Sequence, residues 1–135
     1  MRNKIGADQL TNRFTGTTTD NAFHELFLEG VMNSRLTLGD NVVWGFKATF
    51  VGRTTPLVDA ATYIVVGGIK RVTTNGSTAI VDTTTLTILT KEDDAAWDIQ
   101  ITADTTNGSL KIEVKGNSGD TVTWIVYVEL FENSE

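Results

Sequence analysis

The chain has 135 residues and no cysteine, which excludes disulfides and thiolate metal sites as its means of cohesion. It has one histidine, His24, which excludes a multi-histidine zinc centre. Positive charge is scarce, with 11 Lys and Arg against 17 Asp and Glu and a net charge of −6. A protein that binds nucleic acid along its phosphates needs a basic stripe, so nucleic acid is not an expected partner. No apolar run reaches the length of a membrane span or forms a signal-peptide core after Met1. The chain therefore reads as one soluble, non-secreted domain with no membrane partner. Proline occurs once, at Pro56, so the turns fall to Gly, Asn and Asp.

What is abundant is β-branched side chains: 23 Thr, 13 Val and 9 Ile, a third of the chain. Their stiff χ1 suits a pleated sheet. Strict alternation supports this reading. Val42, Trp44, Phe46, Ala48 and Phe50 share one phase, while Val43, Gly45, Lys47, Thr49 and Val51 take the other. Trp97, Ile99, Ile101 and Ala103 alternate with polar residues, as do Leu110, Ile112 and Val114. Asn107-Gly108 lies between these two runs and signals a hairpin. Asn75-Gly76 signals another, joining strands near Tyr63–Val72 and Thr78–Asp82. Leu86 and Ile88 mark a further short strand. Arg35–Leu38 reads as a strand, and Phe23–Glu29 reads as either a strand or a helical turn capped by Asp20. About nine strands suit an all-β, antiparallel β-sandwich of jelly-roll type.

Two segments depart from simple alternation. In Thr121–Phe131, Val122, Trp124, Val126, Val128 and Leu130 form one apolar face, but Ile125, Tyr127 and Phe131 make the other face apolar too. A strand apolar on both sides is covered on both sides. The cover is either a loop or the N-terminal arm, or else a second subunit, which makes Ile125, Tyr127 and Phe131 oligomer-interface candidates. Residues 1–20 lack periodicity and carry Arg2, Lys4 and Arg13 against Asp8 and Asp20. They read as an extended N-terminal arm ahead of a β-sandwich domain at 21–135, with Arg2, Lys4, Arg13 and Phe14 as docking candidates.

Constellations that carry chemistry are sparse. His24 sits in an apolar stretch and reads as structural. No nucleophile-elbow motif accompanies it. Glu92, Asp93 and Asp94 are adjacent carboxylates in a turn; they lack calcium-loop spacing and read as solvated charge. Asp98 and Asp104 lie on the polar side of one strand, where a glycosidase pair is the sharper reading and surface charge the plainer one. Trp44, Trp97 and Trp124 are in phase with the apolar faces of their strands and read as core. The expectation is no catalytic residue, no metal and no cofactor, hence not an enzyme.

The segment from Trp97 through Asp104, Gly108, Leu110, Ile112, Val114, Gly116, Gly119 and Val122 to Trp124 and Val128 resembles a pattern in structural proteins of tailed-bacteriophage virions. An aromatic strand and an Asp lead into a Gly hairpin, a Leu-x-Ile-x-Val strand, a Gly-x-x-Gly turn and a Trp-bearing strand. Phe46–Arg53 and Ala60–Tyr63 extend the match, which covers roughly residues 42 to 131. Thr123 stands where the pattern often has Arg, and Val126 where it often has Ala. The resemblance implies a homotrimeric β-sandwich on the outside of a virion, made in the host cytoplasm. With no stalk or heptads ahead of it, the chain fits a capsid decoration, or cement, protein whose arm docks on the major capsid protein. The alternatives are a tail-fibre or receptor-binding head that meets a host surface glycan, and a carbohydrate-binding module.

Overall fold

The computed structural model describes residues 9–134. It is all-β, with eleven strands in two antiparallel sheets and two short 3-10 turns, Asn75–Ser77 and Val81–Thr83. The strands are β1 (Gln9–Thr18), β2 (His24–Glu25), β3 (Phe27–Leu28), β4 (Leu36–Thr37), β5 (Val42–Thr54), β6 (Ala60–Arg71), β7 (Ala79–Ile80), β8 (Leu86–Glu92), β9 (Asp98–Asp104), β10 (Ser109–Lys115) and β11 (Val122–Ser134). The larger sheet runs β3-β1-β11-β5-β6, and β6 pairs both β7 and β8 at different heights. In the smaller sheet β10 is central, with β9 on one edge and β2 and β4 on the other.

The alternation read from the sequence positions the core. Trp44, Phe46, Ala48 and Phe50 of β5, Val122, Trp124, Val126, Val128 and Leu130 of β11, and Leu110, Ile112 and Val114 of β10 all turn inward into one buried cluster. All three tryptophans belong to it. Trp124 is its hinge point: Trp97, just ahead of β9, meets its ring edge-on at 5.6 Å, and Tyr63 of β6 stacks at 6.5 Å. Aromatic pairs at these separations add to the gain from burial alone. The Trp124 Nε1–H donates to the buried Thr18 Oγ1 at 3.1 Å, which satisfies the indole and ties β11 to the end of β1.

Several expectations need correction. There are eleven described strands rather than nine, because the Phe23–Glu29 region is extended and splits into β2 and β3 around the buried Leu26, and because residues 9–18 add β1. That side chain inserts into the core between the sheets' strands, so β2 joins the smaller sheet and β3 the larger. Asp20 caps no helix; it accepts from the Ala22 N–H and pairs with His24. Both Asn-Gly pairs sit in connections between paired strands, but neither is a two-residue turn. At 105–108 only Gly108 takes the left-handed conformation (φ 67°), and the Asp104 side chain holds the Thr106 and Asn107 N–H groups.

The largest correction concerns the N-terminal arm. Residues 9–18 form a full strand whose ten residues pair antiparallel with β11, from Gln9↔Phe131 to Thr18↔Val122. This stretch lies beside β11 in the sheet and not over its outer face. Phe14 faces inward and is 1% exposed, so it is a core residue and offers nothing for docking. Arg2 and Lys4 lie outside the described residues.

Candidate functional site: an outer sheet face and an acidic loop end

Two surfaces stand out, and the strand register builds the first. Residues of β11 that alternate with the buried set point away from the smaller sheet. Ile125 pairs with Val51 of β5, and Tyr127 pairs with Thr49, which continues to Ile64 of β6 and Leu89 of β8. Ile125, Tyr127, Phe131 and Val51 are 37, 45, 53 and 46% exposed. The three interface candidates therefore do share one face, and no described element of the chain covers it. Val51, Ile64 and Leu89 extend it, though only their registration with β11 reveals this. Arg13 belongs to the same face: its Nε donates to Glu29 at 2.7 Å, and its guanidinium also interacts with the Tyr127 hydroxyl. Glu29 chiefly, then Tyr127, hold the Arg13 pKa above its ordinary value.

The second surface is at one end of the sheets, where three loops are laced together. The buried Thr54 Oγ1 accepts from the Val58 and Asp59 N–H groups at 2.9 and 3.1 Å. This closes the 55–58 turn and leaves Leu57 and Val58 at its tip, 57 and 77% exposed. Thr55 N–H donates to Thr121 O, and Asp93 N–H to Ala60 O, which bring the 116–121 and 93–97 loops alongside. One carboxylate oxygen each from Asp59, Asp94 and Asp120 then lie within 4.8 Å of one another. Such a set offers the hard oxygen ligands that a divalent cation takes.

The adjacent run Glu92-Asp93-Asp94 does not act as a unit, because alternation along the end of β8 sends the three apart. Glu92 turns inward and accepts from the Tyr63 hydroxyl. Burial, then the Glu92 carboxylate, push the Tyr63 pKa well above its ordinary value, so this phenol stays protonated. Asp93 accepts from the Ala60 N–H at 3.0 Å. Only Asp94 joins the trio, held by the Ala96 N–H and the Asn117 amide. Asp59 and Asp120 carried no sequence signal, since their neighbours are supplied by the fold.

The remaining candidates are structural. His24 Nε2 lies 2.8 Å from Asp20 at the surface. Hydrogen bonds from the Ala22 N–H and then His24 lower the Asp20 pKa. Asp98 and Asp104 stand at opposite ends of β9. At 3.3 Å per residue this is roughly 20 Å, far beyond the separation of a glycosidase pair. Asp104 anchors the β9–β10 turn. Burial pushes its pKa up, but hydrogen bonds from Asn107 and Thr106, with Arg35 nearby, outweigh this and lower it. Among the described residues no helix is long and apolar enough to cross a membrane.

No protein-family model and no curated protein matches the chain. Among solved structures it aligns with tailspike protein gp49 of Acinetobacter baumannii bacteriophage Fri1, a capsular polysaccharide depolymerase. The alignment has 20% sequence identity and a TM-score of 0.42, and covers 97% of this chain. The chain spans about a fifth, 19%, of that tailspike. The expectation of a non-enzyme is corrected here: the tailspike with which this chain aligns is an enzyme. At that TM-score the likeness assigns this chain neither an activity nor a substrate.

Proposed function

We propose that this chain is a structural subunit on the exterior of a tailed-phage virion. In this reading it is a homotrimer built on a two-sheet sandwich, and it serves as a capsid decoration protein with the major capsid protein as its further partner. The observation that carries self-association is the outer face of the larger sheet. Ile125, Tyr127, Phe131 and Val51 stand exposed on a domain whose other large apolar strand residues are mostly packed inside. A contiguous apolar area of this kind marks an interaction surface, and closed symmetric assembly is the common way to cover it. The virion reading rests on the resemblance of residues 97–128, which fall on β9, the Gly108 turn, β10, the 116–121 loop and β11.

Sedimentation at micromolar concentration tests the assembly. The expected species has three times the chain mass, and Tyr127→Asp or Ile125→Asp converts it to folded monomer. A wild-type monomer overturns the trimer. Imaging of intact particles by cryo-electron microscopy tests the position, with density on the capsid lattice expected; density at the tail tip favours a receptor-binding head.

A further inference from the structure

The outer face of the larger sheet is apolar at its centre but not neutral. Strand register places Arg13, Lys47, Arg53, Lys70 and Lys91 on it, against Glu129 and the Glu29 that pairs with Arg13. This is nearly half of the 11 basic residues of a chain whose net charge is −6. A two-fold contact would lay this face against itself and oppose like charges, which costs affinity. The complementary surface lies on the same chain. At the laced loop end, Asp59, Asp94 and Asp120 converge and Asp93 is exposed beside them, while Leu57 and Val58 project as an apolar tip. That tip is held by the Thr54 hydrogen bonds and so is presented without further ordering cost.

We propose that the contact between copies is heterologous. The 55–59 loop and its carboxylates on one copy seat on the outer face of the larger sheet on the next. This deepens the self-assembly reading above and rests on it. Leu57 and Val58 cover the Ile125, Tyr127 and Val51 area, and the carboxylates face Lys47 and Lys91. Because donor and acceptor surfaces differ, each copy uses both, and a ring closes when the rotation per step allows it. Charge complementarity also speeds encounter, so assembly weakens as salt rises.

The absence of cysteine makes the test direct. Val58→Cys and Tyr127→Cys chains are prepared separately, mixed, and treated with a short bis-maleimide. Covalent dimers are expected chiefly in the mixture, several-fold above either variant alone. Lys47→Glu and Asp120→Lys are each expected to raise the concentration needed for assembly at least tenfold, and the double variant to restore it. Far-UV circular dichroism and melting of every variant confirm that it is folded. Assembly of the wild type with Tyr127→Cys linking only to itself overturns the heterologous contact while leaving self-association intact. A wild-type monomer overturns self-association itself.

Discussion

The Trp124 ring lies flat against Gly52, its cross-strand partner on β5: a Cβ at residue 52 would sit 2.7 Å from Trp124 Cζ3 and 2.8 Å from Cε3. The indole has no room to yield, since Trp97 and Tyr63 pack on it and its Nε1 is bonded to Thr18. Gly52→Ala is therefore expected to destabilise by about 1–3 kcal/mol, the usual cost of overpacking. Gly45 on the same strand is the control, because a Cβ there meets nothing within 4 Å. Gly45→Ala should be neutral or stabilising by up to about 1 kcal/mol, through the unfolded chain. Urea unfolding of both variants checks the contrast.

The two central indoles differ in their polar ends. Trp124 Nε1 donates to Thr18 Oγ1, whereas the buried Trp97 Nε1 has no hydrogen-bond partner among the described residues. Trp124→Phe removes a donor and leaves a buried hydroxyl unpaired; Trp97→Phe removes a donor that contributes nothing. The first is expected to cost about 1–3 kcal/mol more than the second. Replacement of either by Ala should cost about 3–5 kcal/mol. Equal losses for the two Phe variants in denaturant titrations would show that the Thr18 bond carries no net stability.

Asp104 gives the fold a carboxylate-dependent term. It accepts from the Thr106 and Asn107 N–H groups and from the Asn107 amide at 2.7–3.0 Å, and its pKa lies below the ordinary value. A lowered folded-state pKa means stability that is present above the unfolded carboxylate pKa and is lost as pH falls through the folded one. Asp104→Ala should cost about 1–3 kcal/mol at neutral pH. The difference from wild type should narrow as pH drops from about 5 to about 2. Melting temperatures of both chains across that range read it out.

Much of the core was legible because a strand's period of two writes its buried face into the sequence. Trp44, Phe46 and Phe50, or Leu110, Ile112 and Val114, are visible as phases before any partner is known. The apolar second face of β11 was legible in the same way. β1 was not, because Thr11, Thr15, Gly16, Thr17 and Thr18 give no contrast between its sides, and its pairing energy comes from β11. The short strands β2 and β3 hold two residues each, too few to show a period, and neighbours define them. Asp59 and Asp120 were hidden for a related reason: they meet Asp94 only through loops 26 residues or more apart in the chain. The basic character of the outer face was likewise invisible in an acidic composition until register gathered Lys47, Lys70 and Lys91 together.

The pairing of β1 with β11 leads to a last prediction, on truncation. If residues up to 20 were a detachable arm, a chain starting at Asn21 would keep its fold. In the structure that cut removes a ten-residue strand lying between β3 and β11. It takes away Phe14 from the core and the Thr18 hydroxyl from Trp124, and it strands β3, whose backbone partners in the larger sheet are Phe14 and Thr15. It also bares one edge of β11 along ten residues, and an unpaired edge of that length invites intermolecular pairing. The truncated chain is expected to be insoluble or to melt far below the full chain. Phe14→Ala in the intact chain should alone cost about 3–5 kcal/mol. Adding a synthetic peptide of residues 9–18 to freshly diluted truncated chain should recover soluble, folded protein by strand addition. A truncated chain with an unchanged melting temperature would show that β1 is an arm after all.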